Sequence, residues 1–274
     1  MENYSMQKNI TPAVLSIAGS DSGGGAGIQA DLKVFHALGC FGTTAITCLT
    51  AQNPDEVRAV EAVSPDMVAE QVRTVCDSFP VVAAKTGMLY SREIIRSVAS
   101  VIRECGIETL VVDPVMVSTS RARLLEKAAT DALVAELFPL ATVITPNLPE
   151  AEVLLSRKIG SLDDLQKAAR ELAVGYGVAV VLKGGHLDEH SDADGGEVVD
   201  VLAYGGDVEA FRVQRVAVRE NHGTGCTFAA ALTAYLAKGG SLRDAVEAAQ
   251  RYVATALKRY VSVGVHTPLG MGII

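Results

Sequence analysis

Residues 13–35 read AVLSIAGSDSGGGAGIQADLKVF, and the order of residue types within them decides the fold class. Ala13–Ala18 is an apolar run of strand length. It gives way to the loop Gly19-Ser20-Asp21-Ser22-Gly23-Gly24-Gly25-Ala26-Gly27, after which Ile28, Leu32 and Phe35 recur at i, i+4 and i+7, the spacing that lines one face of a helix. The glycines permit φ > 0 and let backbone approach a ligand closely at the strand's end. The loop fits no P-loop, and a dinucleotide fingerprint fails at its third glycine, where Ile28 stands.

The same alternation continues along the chain. Phe41–Ala51, Val81–Thr86, Leu110–Asp113, Val143–Thr145 and Val178–Lys183 are further strand-like runs. Helical patterns follow most of them, near Pro65–Ser78, Arg92–Cys105, Leu124–Phe138 and Leu162–Val174. This predicts an α/β fold with a doubly wound, mainly parallel sheet. Glu197–Tyr204 and Val208–Val218 flank Gly205-Gly206 with no helix between them, which predicts an antiparallel hairpin at the sheet edge. The last two helices, Gly223–Lys238 and Leu242–Arg259, are separated by Gly239-Gly240-Ser241, a stop followed by a cap. No repeat or linker interrupts the pattern, so one domain is expected over residues 13–268, behind a polar tail of residues 1–12. His186–Gly196 reads as an exposed loop.

Composition narrows the function. With 274 residues, 5% aromatics and no Trp, the interior is an aliphatic one. The charge of −8, without a basic stretch, argues against nucleic acid as a partner. Five scattered cysteines with no Cys-x-x-Cys indicate neither a disulfide framework nor a zinc site. The N-terminal MENYSMQKNITP has no apolar leader segment, and no apolar run reaches the ~18 residues a membrane span needs. A soluble, cytoplasmic protein is expected.

Four strand-end or helix-start motifs can carry chemistry. The first is the glycine-rich loop itself. Asn221-His222-Gly223-Thr224-Gly225-Cys226 opens an alanine-rich helix, clustering unpaired amides at a positive helix end, an anion hole for a transferring phosphoryl group. Cys226 in its first turn has two readings: a thiol whose pKa the helix field lowers, or a small core residue. Asp113-Pro114-Val115-Met116 and Asn147-Leu148-Pro149-Glu150 put two carboxylates and an amide on the carboxyl edge of the sheet, where Asp113 and Glu150 suit Mg·ATP. Asn147 and Glu150 equally suit a capping box, and the two roles are compatible. Lys183-Gly184-Gly185-His186 ends a strand with a cation and open backbone, suited to ATP phosphates. Met88 and Met116 follow strand ends and serve either as core filler or as walls for a flat ring. His36, His190 and His266 are assigned to surface or structural positions, whereas His222 adjoins the anion hole.

In order along the chain, AGSDSGGGAGIQADLK, TAQNP, AKTGML, DPVM, TPNLPEAE, LKGGH and NHGTGCT resemble the hydroxymethylpyrimidine and phosphomethylpyrimidine kinases of thiamine biosynthesis, in the ribokinase-like superfamily, from about Ala13 to Pro268. The resemblance implies a three-layer αβα sandwich, ATP with Mg²⁺, usually a homodimer, and two successive phosphorylations in one site: of the hydroxymethyl group, then of the monophosphate. It implies that Asp31 and Gln52 contact the pyrimidine and that Gly19, Met88 and Val115 line its pocket. Asp113, Asn147, Glu150, Lys183 and Thr224 would serve Mg·ATP, with Asp113 and Glu150 at the metal. Gly223, Thr224, Gly225 and Cys226 would form the catalytic cradle, with Cys226 as base where most of the superfamily has Asp. Two departures stand out: Val117–Arg123 replaces a basic Lys-Ser-Gly stretch, where Arg121 or Arg123 would have to substitute, and Asn221 stands where Thr is expected. A pyridoxine or pyridoxal kinase is the nearest alternative, and Gln52 is the residue that favours a ring bearing an exocyclic amine.

Overall fold

The computed structural model describes residues 10–116, 127–185, 196–218 and 220–272. Expectations for residues 1–9, for 117–126 with Arg121 and Arg123, and for His186 and His190 lie outside the described residues. Nine strands form one sheet: β1 (Ala13–Asp21), β2 (Phe41–Gln52), β3 (Val57–Ala62), β4 (Val81–Thr86), β5 (Leu110–Val112), β6 (Val143–Ile144), β7 (Ala179–Lys183), β8 (Glu197–Tyr204) and β9 (Asp207–Gln214). Their order is β3-β2-β1-β4-β5-β6-β7-β8-β9. The six strands from β2 to β7 pair in parallel, while β3, β8 and β9 pair antiparallel.

The helices are α1 (Gly27–Ala37), α2 (Pro65–Ser78), α3 (Arg92–Glu104), α4 (Lys127–Ala132), α5 (Leu148–Leu155), α6 (Leu162–Tyr176), α7 (Thr224–Ala237) and α8 (Leu242–Lys258). After α4 the chain loosens into a π-turn at Leu133–Leu137. Serine side chains set four of the starts. Ser64, Ser91, Ser161 and Ser241 each accept the N3 amide of the helix that follows, which satisfies one orphan donor of the first turn.

Alternate strand residues divide between two apolar clusters, as a period of two requires. Leu15, Ala84, Leu110, Val112, Ile144, Val180 and Leu182 pack with the buried faces of α2, α3 and α6. Val14, Ala83, Val111, Val143 and Val181 pack with α1, α7 and α8. The result is the expected three-layer αβα sandwich. On α3 the residues Ile94, Ile95, Val98, Val101 and Ile102 are all buried, and truncating either of the first two to Ala costs about 2–5 kcal/mol.

Three differences from the sequence reading have local causes. β3 was not expected; most of its residues are exposed, so it carries no alternating apolar face. It makes a second antiparallel edge, opposite the expected hairpin. β1 runs to Asp21, three residues into what reads as loop. β9 stops at Gln214 rather than Val218.

Connections decide where a ligand can sit. β1 reaches β2 through α1 on one face, and the chain returns to β4 through α2 on the other. The strand order therefore reverses beside β1, and the crevice beyond the carboxyl ends of β1 and β4 is the switch point at which open α/β sheets bind ligands.

Candidate active site

The start of α7 reaches that crevice. α7 packs against α1, β1, β4 and β5, so its N-terminus meets the strand ends. Its N-cap, Gly223, has φ 86°, and an added Cβ would stand 1.9 Å from Gly25 O. Only glycine meets both conditions. The glycine-rich loop and the helix start are thus in contact, backbone against backbone. Thr224 folds back on Asn221, its amide and hydroxyl both directed at Asn221 O, the hydroxyl at 3.0 Å. The departure at position 221 therefore contributes its carbonyl to the turn, as any residue would.

Beneath the helix start lie the ends of β5 and β7. Lys183 Nζ donates to Asp113 Oδ1 at 3.1 Å, and the Thr145 hydroxyl donates to the same oxygen at 3.0 Å. A Cβ on Gly225 would lie 3.5 Å from Lys183 Nζ and 3.8 Å from Asp113 Oδ2. The absence of a side chain at Gly225 leaves helix amides, ammonium and carboxylate facing one small space. Burial presses Lys183 towards the neutral amine, but Asp113 and Glu150 outweigh it and hold its pKa above the usual value, so it remains a cation.

Asn147 and Glu150 close a capping box on α5. Asn147 Oδ1 accepts the Glu150 amide, and Glu150 Oε2 accepts the Asn147 amide, both at 2.9 Å; Glu150 Oε1 accepts from Met116 N at 3.1 Å. Burial, joined by the Asp113 carboxylate, pushes Glu150 up to about 7 against the pull of Lys183 and the two amides. The Met116 contact steers the chain after β5, where Val115 is held at φ 40°, a conformation unusual for a β-branched residue. Val115 is half-buried at the site, whereas Met116, 1% exposed, is core filler and not a ring wall.

For Mg²⁺ the Asp113 carboxylate, whose Oδ2 borders the Gly225 space, is the more open donor, while each Glu150 oxygen already accepts one amide. Among the described residues no group of three or more His, Cys, Asp and Glu side chains is gathered for a metal. This fits an ion bound mainly by substrate phosphates and water with one protein carboxylate, and Glu150 acting through water.

The other half of the crevice is built from β1, β2 and β4. A Cβ on Gly19 would lie 2.7 Å from Cys48 Sγ and 3.8 Å from Met88 Cβ, so Gly19, the buried Cys48 and the half-buried Met88 share one wall. Gln52 ends β2 with its amide between Thr50 Oγ1 and His222 Nε2, each at 3.3 Å. His222 Nε2 also lies 3.1 Å from Asp21 Oδ2. Asp21 organises the glycine-rich loop, accepting the amides of Gly23, Gly25 and Ala26. Burial works against its charge, but His222 and these amides overcome it and lower its pKa.

Two expectations are corrected here. Asp31, read as a pyrimidine contact, is 0% exposed, and its oxygens are taken by Lys85 Nζ at 2.8 and 3.0 Å and by Ser16 Oγ at 2.5 Å. It lies under the floor of the crevice, and touching a ligand would require it to leave Lys85. Of the two readings of Cys226, acidification by the helix start does not hold: the thiol is pushed up to about 11. Burial is the largest cause, and the Asp31 and Asp113 carboxylates add to it. The Lys85 ammonium and the Gly27 N–H, which donates to the sulfur, oppose them without prevailing.

Asp21, Lys85, Ser16 and Thr145 were not singled out in the sequence. Lys85 carried a signal, an ionisable residue inside the apolar strand Val81–Thr86, where only a paired cation is tolerated. Of the remaining histidines, His36 is exposed and His266 is half-buried against Glu220 at 3.1 Å. Two clefts, of about 190 and 290 Å³, lie between α7, α8 and Gly270 and between the start of α6 and β8–β9, the second lined in part by Gly184, next to Lys183.

The sequence model of the phosphomethylpyrimidine kinase family matches residues 21–270. The chain is 46% identical over 249 residues to a hydroxymethylpyrimidine/phosphomethylpyrimidine kinase of Rhizobium meliloti, covering 90% of this chain and 91% of that one. It is 44% identical over 260 residues to a thiamine biosynthesis bifunctional protein of Geobacter sulfurreducens; the match takes in 95% of this chain but only 51% of that longer protein. The fold is also that of the pyridoxal kinase of Staphylococcus aureus solved with AMP-PCP and pyridoxal, with a TM-score of 0.84 at 36% identity, over 96% of this chain and 94% of that one.

Proposed function

The chain belongs to the phosphomethylpyrimidine kinase family, and from that premise we propose that the crevice phosphorylates hydroxymethylpyrimidine and then its monophosphate in thiamine biosynthesis, with ATP as cosubstrate. The observation that carries the reading is the meeting of the α7 amides, Lys183 and Asp113 around the empty Cβ position of Gly225.

In the first reaction the substrate hydroxyl oxygen attacks the γ-phosphorus, the bond to the β-bridging oxygen breaks, and ADP leaves. In the second, a phosphate oxygen of the monophosphate is the nucleophile. The transition state is loose, so the protein's work is positioning and neutralisation of charge. The first-turn amides at Gly223, Gly225 and Cys226 hold the transferring group, the Thr224 amide being turned back on Asn221 O, and Lys183 neutralises the phosphates beside it. Mg²⁺, with Asp113 and, through water, Glu150, would supply further neutralisation of the phosphate oxygens. Only the small thiolate fraction of a thiol at about 11 can accept the hydroxyl proton in the first reaction, late in transfer when that proton is most acidic, and the second reaction, at a phosphate oxygen, needs no base. Gln52 recognises the ring edge, with Gly19, Met88 and Val115 as walls, and the buried Asp31–Lys85 pair supports the floor beneath them.

The same reading includes a homodimer in the cytoplasm. The exposed edge strand β3, where Val57 is 50% exposed, has an outer edge with which no strand among the described residues pairs, one that a second copy would cover. No helix among the described residues is long and apolar enough to cross a membrane.

The deciding experiment supplies the purified protein with ATP and, in parallel, hydroxymethylpyrimidine, its monophosphate and pyridoxal, and identifies products by mass spectrometry. Mono- and diphosphorylated pyrimidine are expected; turnover of pyridoxal alone would make the protein a vitamin B6 kinase instead.

A further inference from the structure

The strand that ends at Lys183 is gripped there by a side chain from its neighbour. β7 and β8 pair antiparallel as far as Lys183 opposite Asp200, where the ladder stops. Past that point the Gly184 amide donates to Asp200 Oδ1 at 3.0 Å, a side chain in place of a ladder carbonyl. A Cβ on Gly184 would stand 2.1 Å from Val199 O, so this corner passes close against β8 and admits only glycine. The other carboxylate oxygen, Oδ2, accepts from Gln250 Nε2 on α8 at 3.0 Å. Gln250 Nε2 has a second hydrogen, which it donates to Phe211 O at 3.1 Å. That amide therefore has one orientation, because turning it over would set its oxygen against two acceptors. Asp200 and Gln250 are both buried, a carboxylate and an amide where apolar side chains would otherwise join the sheet to α8. Burial raises the Asp200 pKa against the pull of the Gly184 amide, Gln250 and Lys183.

We propose that Asp200, braced by Gln250, is a positioning residue for the nucleotide: it fixes the Lys183–Gly184 corner and so aims the Lys183 ammonium at the space for the phosphates. The inference rests on the kinase reading and deepens it. Residues directly opposite each other in an antiparallel pair project from the same face of the sheet, with Cβ atoms about 5 Å apart. Lys183 and Asp200 thus both point towards α7 and α8, where the one borders the Gly225 space and the other meets Gln250. A lysine carries its charge on a flexible aliphatic stem, so its aim depends on where the strand end holds the base of that stem. Asp113 anchors the tip at 3.1 Å. The base is held from both sides, by the Lys183 amide donating to Pro146 O at 2.9 Å and by Asp200 on the Gly184 amide. An asparagine at position 200 has a single accepting atom, and its N–H groups would face either the Gly184 amide or the fixed Gln250 amide. Only a carboxylate serves both donors.

The test measures Kd for AMP-PCP with Mg²⁺, and separately for hydroxymethylpyrimidine, by titration calorimetry. The proteins are wild type, Asp200→Asn, Gln250→Met, Lys183→Met and the double variant Asp200→Asn/Lys183→Met. Asp200→Asn is expected to weaken AMP-PCP about 10-fold, the scale of one hydrogen bond to a charged group, with hydroxymethylpyrimidine changed less than about 2-fold. Gln250→Met removes the brace but leaves Asp200 on the Gly184 amide, and is expected to weaken AMP-PCP about 3-fold. In the Lys183→Met background the Asp200 substitution should change AMP-PCP binding less than about 2-fold, because the group it aims is gone. A residue that merely stabilises the fold would act on both ligands, and its effect would persist without Lys183. Equal weakening of both ligands, additive losses in the double variant, or unchanged AMP-PCP binding in Gln250→Met would each overturn the inference. The last of these decides the matter even if Asp200→Asn does not fold. Wild-type protein that binds no AMP-PCP would overturn the kinase reading and this inference with it, a result distinct from wild-type binding that the variants leave unaltered.

Discussion

Lys85 and Asp31, one on β4 and the other on α1, form an ion pair at 2.8 Å with both side chains 0% exposed, directly under the residues that face the ligand. Removing one member leaves the other buried and uncompensated, at a cost of about 3–5 kcal/mol. Lys85→Met and Asp31→Asn are therefore each expected to lower the denaturation midpoint substantially, and the double variant to recover part of the loss. Urea unfolding of the three proteins checks this. A variant at Asp31 with unchanged stability and a raised KM for the pyrimidine would instead restore the direct-contact role.

The two glycines at the start of α7 are expected to behave differently. Gly223→Ala places a Cβ 1.9 Å from Gly25 O in a left-handed conformation, so it should fold with a clearly lowered Tm, if at all. Gly225→Ala makes only ordinary contacts at 3.5 and 3.8 Å, so its Tm should stay within a few degrees of wild type. Its methyl group intrudes on the space shared by Lys183 and Asp113, and kcat should fall by about 10- to 1,000-fold. Calorimetry paired with steady-state kinetics separates the two effects.

Glu150 gives a pH signature. Its folded-state pKa of about 7 lies above its ordinary 4.5, so between those values the folded protein binds the extra proton. The contribution to stability is present in full below about pH 4.5 and is lost as pH rises through 7, on the order of a few kcal/mol for such a shift. Glu150→Gln, which keeps an acceptor for the capping box, should flatten that part of the stability curve. Urea midpoints measured from pH 4.5 to 8 on both proteins give the comparison.

The Cys226 thiol is expected to react slowly with iodoacetamide at neutral pH, since burial and two carboxylates hold it near 11. Alkylation should accelerate steeply above pH 9. Cys226→Ala should lower kcat by about 100-fold or more with little change in Tm. Wild-type turnover in that variant would end the catalytic role assigned to the thiol.

The sequence by itself determined the alternation of strands and helices that makes a doubly wound, mainly parallel sheet, and the places where chemistry-bearing motifs end their strands. Both depend on information that is local in the chain: the period of apolar residues, the stop and cap at Gly239-Gly240-Ser241, and glycines where helices begin. β3 escaped that reading because an exposed edge strand buries no alternating face. The tertiary structure alone decided what each motif meets. It placed Asp31 under the floor on Lys85, both Glu150 oxygens on backbone amides, and Asp21, His222 and Gln52 in one chain of contacts across 201 residues of sequence. Protonation follows from those meetings, since burial and the neighbouring charges of Lys85, Asp31 and Asp113 set the Cys226 thiol.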